Sequence, residues 1–138
     1  MNNLEFQNQV NKLKQECELQ IATETYKFSE SLSFVRSQIL GVNQEVQYCE
    51  KRLCVYESLK KDNMELSEDI LATIEELKTR KNNLQSKKES LEQQFLREDE
   101  KYKKAYKAAA MRAQKRYDTE VKKLEKLAQI AKEEAENE

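Results

Sequence analysis

The chain has 138 residues, of which 37% are Asp, Glu, Lys or Arg and 38% are apolar, with one glycine, no proline and no tryptophan. A compact domain turns often, and turns need Gly, Pro or clusters of Asn, Asp and Ser, so this composition excludes a many-turned fold and indicates long helices. Its 25 basic and 26 acidic groups leave a net charge of −1, so no global field draws the chain to nucleic acid or to a membrane.

A charged chain can instead be disordered, but disorder carries no hydrophobic period, and this sequence has one from its start. Residues 1–27 read as an N-terminal helix in which Phe6, Val10, Leu13 and Cys17 alternate steps of four and three. The next core position, Phe28, lies eleven residues after Cys17 with Ile21 between, a change from heptad to hendecad phase that relaxes supercoiling without ending a helix.

Residues 28–98 read as a continuous heptad coiled coil. One series runs Phe28, Val35, Val42, Cys49, Tyr56, Asn63, Ile70, Leu77, Leu84 and Leu91. The other runs Leu32, Ile39, Val46, Leu53, Lys60, Ser67, Ile74, Lys81, Lys88, Phe95 and Tyr102. Together they form one stripe, the expected interface core, that a 3.5-residue repeat keeps facing a partner helix.

Inside this stretch residues 60–67, KKDNMELS, place Lys60, Asn63 and Ser67 at three successive core positions. Two arrangements accommodate them. One is a polar interruption in a continuous rod; the other is a long antiparallel helical hairpin turning here, with Asp62 and Glu65 capping the second helix. The unbroken sevenfold step from Tyr56 to Ile70, and the lack of Gly or Pro, favour the rod. The expected fold is therefore an all-α, oligomeric coiled-coil rod, with the hairpin as its alternative.

Residues 99–132 form a Lys, Ala and Tyr-rich helix with an eleven-residue period. Tyr102, Ala113, Leu124 and Ala135 make one row, and Tyr106, Tyr117 and Ala128 another, which predicts a straight or slightly right-handed segment. Residues 133–138 are an acidic tail. Residues 101–126 carry ten basic and three acidic groups.

Nothing in the chain assembles catalytic chemistry. There is no histidine, the commonest general base and metal ligand, and one glycine cannot build a phosphate-cradling loop. Neighbouring acids such as Glu75 and Glu76 point in different directions on a helix. No catalytic residue, metal ligand or cofactor is expected.

Cys17, Cys49 and Cys54 have no metal or redox spacing and suit a reducing compartment, which implies an intracellular location, cytoplasmic or nuclear. Cys17 and Cys49 fall on the core stripe and Cys54 lies off it. The opening MNNLEFQNQV has no signal-peptide pattern, and no apolar run approaches the length of a membrane span.

Three departures from a simple two-stranded coil carry more information. Phe34, Leu40, Cys54, Val55, Leu59, Met64, Leu66 and Leu71 are apolar yet off the stripe, which favours a further helix packed over this region in a small bundle. Lys81 and Lys88 at core sites, and Glu45 facing Glu50 across an in-register pair, disfavour a parallel homodimer. A heteromeric or antiparallel coil would bring acids to those lysines. Finally, KYKKAYKAAAMRAQKRY offers Lys103, Lys104, Lys107, Arg112, Lys115 and Arg116 as contacts for an acidic protein partner, with nucleic acid less favoured because its tyrosines share a packed face.

Heptads and composition over the whole chain resemble, in a generic way, the helical rods of cytoskeletal, centrosomal, kinetochore and meiotic chromosome scaffolds; no family-specific motif accompanies them. Prefoldin-like chaperones are disfavoured, since KKDNMELSED lacks the alternation of strands. The expectation is a non-enzymatic scaffold subunit that assembles with itself or with other helical proteins. Its alternative is a charged module contacting nucleic acid or an acidic protein surface through residues 101–126.

Overall fold

The computed structural model describes residues 2–62 and 65–137. The chain is all-α: α1 (Asn3–Lys61) and α2 (Glu68–Glu136) pack against each other, and no strand occurs among the described residues. The single rod expected through residues 60–67 is thereby corrected in favour of two antiparallel helices. A helix continued through KKDNMELS would bring Lys60 and Ser67 into a seam that gains no apolar area there. Ending it sets both residues in water and leaves the flanking apolar positions to pack on one another. The remaining polar core position, Asn63, and the off-stripe Met64 lie outside the described residues.

Local chemistry fixes the helix ends. At the start of α1, the Glu5 amide donates to Asn2 Oδ1 at 2.8 Å while the Asn2 amide donates to Glu5 Oε2 at 3.4 Å, a reciprocal capping box. Lys60 and Lys61 occupy the last turn of α1, where cations meet the negative end of the helix dipole. The cap of α2 is Ser67, not the expected pair Asp62 and Glu65. The Ile70 amide donates to Ser67 Oγ at 3.3 Å, and Glu68 and Asp69 follow in the first turn.

The chain divides into two compact units, Glu30–Asp99 and Met1–Ser29 with Glu100–Glu138. In the first, the heptad stripe forms the core. Val42, Cys49 and Leu53 of α1 are buried against Ile74, Leu77, Leu84 and Leu91 of α2, with Ile39, Val46, Tyr56, Leu66 and Ile70 packed around them. Leu32 and Val35 are also buried, Phe95 is half-buried, and the Arg36 guanidinium lies 5.5 Å from the Phe95 ring.

The second unit packs small residues. Ala109 and Ala113 are buried on α2, and the Cys17 thiol donates to the Ala113 carbonyl at 3.5 Å. Leu13 and Cys17 join Ala113 in the core, with Ile21, Tyr117 and Val121 packed against them. Between Cys17 and the half-buried Phe28 the inward positions are Ile21 and Thr25, steps of four, four and three. Thr25 is buried because its hydroxyl donates to the Ile21 carbonyl at 2.8 Å, so it enters the core without an unpaired polar atom.

On α2, Tyr102, Tyr117, Leu124 and Ala128 are half-buried, as the eleven-residue rows place them. Tyr106 and Ala135 depart from those rows and are exposed. Ala109 takes the inward place near Tyr106, whose ring lies 6.1 Å from that of Tyr102.

Candidate interaction surface

The fifteen residues expected as an interface core lie on inward faces of this one chain. Nine are buried: Leu32, Val35, Val42, Cys49, Leu53, Ile74, Leu77, Leu84 and Leu91. Six are half-buried: Phe28, Ile39, Val46, Tyr56, Ile70 and Phe95. The helix that faces Val42 to Tyr56 is α2 of the same molecule. Lys81 is met as an antiparallel arrangement allows, its Nζ 3.5 Å from Glu50 on α1, whereas Lys88 pairs within its own helix, its Nζ 3.9 Å from Glu92 one turn ahead. Glu45, which a parallel copy would set against Glu50, pairs with Arg80 at 3.7 Å.

With the stripe closed internally, the apolar surface left over is on the outside. Phe34 is 64% exposed, Tyr48 51% and Val55 60%. With Gly41 they step by seven along α1, each just before a position of the Val35 series, and seven residues return to nearly the same side of a helix. They form one row flanking the seam, with the half-buried Leu59 one turn beyond Val55. Leu40, Cys54 and Leu71 are exposed away from this row, while Leu66 packs on the core.

Two features set this row apart from scattered surface apolar residues. Glycine in mid-helix costs roughly 0.5–1 kcal/mol relative to alanine, yet a methyl group added at Gly41 would meet nothing within 4 Å. Nothing in the chain itself requires the missing side chain. The second feature is Arg52, whose guanidinium lies 5.7 Å from the Tyr48 ring and 5.9 Å from the Tyr56 ring. It donates to Tyr56 Oη at 3.1 Å and to Tyr48 Oη at 3.5 Å, and the hydrogen bond to Tyr56, followed by the field of Tyr48, raises its pKa. The ring of Tyr48 is thus steadied while remaining half in water.

The expected basic contacts are partly occupied. Arg112 Nη2 donates to Glu24 Oε2 at 2.9 Å, and Arg116 donates to Gln20 at 3.1 Å and to Glu16 at 3.4 Å. The hydrogen bond from Arg112 holds the Glu24 carboxyl below the usual glutamate range, against a smaller opposing effect of desolvation. Lys103, Lys104, Lys107 and Lys115 are exposed. Gly41, Tyr48 and Arg52 escape a reading of core periodicity because none lies in the core. The signal available was Gly41, the only glycine, on the sevenfold row of Phe34, Tyr48 and Val55.

Cys17 and Cys49 are buried and Cys54 is exposed, and all three are free thiols. Among the described residues no group of three or more Cys, Asp or Glu could hold a metal ion, and no helix is long and apolar enough to cross a membrane. Comparisons with protein-family models, with curated proteins and with solved structures each found no match.

Proposed function

We propose that the chain is a non-enzymatic, coiled-coil assembly subunit that joins helical protein chains through the outer face of α1 between Phe34 and Leu59. The observation that carries this reading is the exposed row Phe34, Tyr48 and Val55 on a helix whose heptad stripe is already covered by α2. Water-exposed aromatic and branched side chains in a regular row are removed from water when another helix lies along them, each full burial contributing about 1.5–3 kcal/mol. The free thiols suit a reducing compartment and so support a reading of the assembly as intracellular. The alternative, a basic module on residues 101–126, is weakened by the engagement of Arg112 and Arg116 with the chain's own carboxylates.

Lysine-directed cross-linking in cells, read by peptide mass, tests the reading. Intermolecular links should concentrate at Lys51, Lys60 and Lys61, and should disappear in a Phe34→Glu, Tyr48→Glu chain that keeps its helicity. Links confined to Lys103, Lys104, Lys107 and Lys115, untouched by those substitutions, would overturn it in favour of the basic module.

A further inference from the structure

Resting on the reading that this row is a docking face, we propose that its occupant is a second copy of the chain, with its α1 antiparallel and Tyr48 of each copy seated over Gly41 of the other. The row reads Phe34, Gly41, Tyr48, Val55, and reversing it about the point between Gln44 and Glu45 sets Phe34 against Val55 and Gly41 against Tyr48. A large ring therefore meets an intermediate side chain, and the steadied Tyr48 ring meets the position where no side chain projects. A parallel copy in register would stack ring on ring and leave a gap at paired glycines.

Flanking charges make the same choice. In a parallel copy in register Lys51 of each chain would meet Arg52 of the other, cation against cation. Reversed, Lys51 lies nearest Ser37 and Arg52 nearest Gln38, each within one residue of level on its own flank, so the cations are separated. Glu45 stays close to the twofold axis in either case, and its carboxylate has Arg80 at 3.7 Å to offset the repulsion. The contact is isologous, the same row serving both copies, so it closes at two chains.

The open space at Gly41 gives the test its control, because a methyl group placed there meets nothing within 4 Å in the single chain. Gly41→Leu should leave helicity intact and the melting of the single chain no lower, since it removes a mid-helix glycine, while raising the dissociation constant of the purified dimer at least tenfold in sedimentation equilibrium. Retained affinity would overturn the seat at Gly41. Orientation is read by mixing equal amounts of Ser37→Cys and Lys51→Cys chains, both in a Cys54→Ser background, under mild oxidation. Mixed disulfides between the two variants should exceed like-with-like disulfides; like-with-like products in excess would overturn the antiparallel arrangement. A purified chain that stays monomeric at about 100 µM overturns self-pairing outright. If Lys51, Lys60 and Lys61 then still cross-link to other proteins in a Phe34- and Tyr48-dependent way, the docking face stands without the second copy. If they cross-link to nothing, the docking face itself fails.

Discussion

Lys81, a core position by heptad count, sets its ammonium 3.5 Å from the Glu50 carboxylate on the opposite helix. Its side chain is 30% exposed, so the stem packs along the seam while the charge reaches the edge. A half-exposed ion pair contributes little, roughly 0–1 kcal/mol. A leucine there would add apolar burial, so Lys81→Leu is expected to stabilise the helix pair by about 1 kcal/mol in urea unfolding. Lys81→Glu, which opposes Glu50, is expected to lower the midpoint.

Leu84 is buried in the same seam, whereas its neighbour Gln85 is exposed. Leu84→Asp removes about 1.5–3 kcal/mol of burial and adds an unpaired buried charge. The expected loss is roughly 3–5 kcal/mol, with Gln85→Asp within about 0.5 kcal/mol of the parent. Chemical denaturation followed by circular dichroism separates the two, and equal losses would contradict the register.

Ser67 rather than Glu65 accepts the first free amide of α2. Ser67→Ala should therefore destabilise the chain by about 0.5–2 kcal/mol, and Ser67→Asp should retain the cap. Glu65→Ala should change the urea midpoint little.

The Glu24 carboxyl is held below its ordinary value of 4.5 by Arg112. A carboxyl whose folded pKa is depressed contributes stability that is present above its unfolded pKa and is lost as pH falls through the folded one. The wild-type advantage over Glu24→Gln should accordingly shrink as pH drops below about 4.5. Melting temperatures of both proteins measured from pH 7 to pH 3 would show convergence, whereas a constant gap would contradict the pairing.

Much of this architecture was legible in the residues. Every member of the heptad series from Leu32 to Tyr56 and from Ile70 to Phe95 is buried or half-buried, because spacing fixes which side of a helix packs. What spacing could not tell was which helix does the packing. The sevenfold step from Tyr56 through Asn63 to Ile70 spans the six-residue connection between Lys61 and Glu68. Fourteen residues keep heptad phase whether or not the chain turns, so phase carried no information there. The polar run at Lys60, Asn63 and Ser67 did, through the burial it forgoes.

Thr25 escaped for a different reason. A threonine reads as polar until its hydroxyl is satisfied by the carbonyl four residues back. Tyr106 was placed inward by its spacing, but the buried positions there are Ala109 and Ala113, and Tyr106 is 47% exposed. The row through Gly41 lay in view as a spacing of seven, yet its exposure depended on knowing that α2 covers the other face.

The central claim is that the heptad stripe is closed by the chain's own second helix, which leaves the row of Phe34, Tyr48 and Val55 exposed. Spin labels at Gln47 and Lys78 of one chain, diluted with unlabelled chain to remove intermolecular pairs, test it most directly. Along one helix these positions would be about 46 Å apart at 1.5 Å per residue. Across an antiparallel pair they should lie within about 20 Å, given an interaxial distance of about 8–10 Å. A short distance that survives dilution is the predicted result, and a distribution centred near 46 Å would contradict the account.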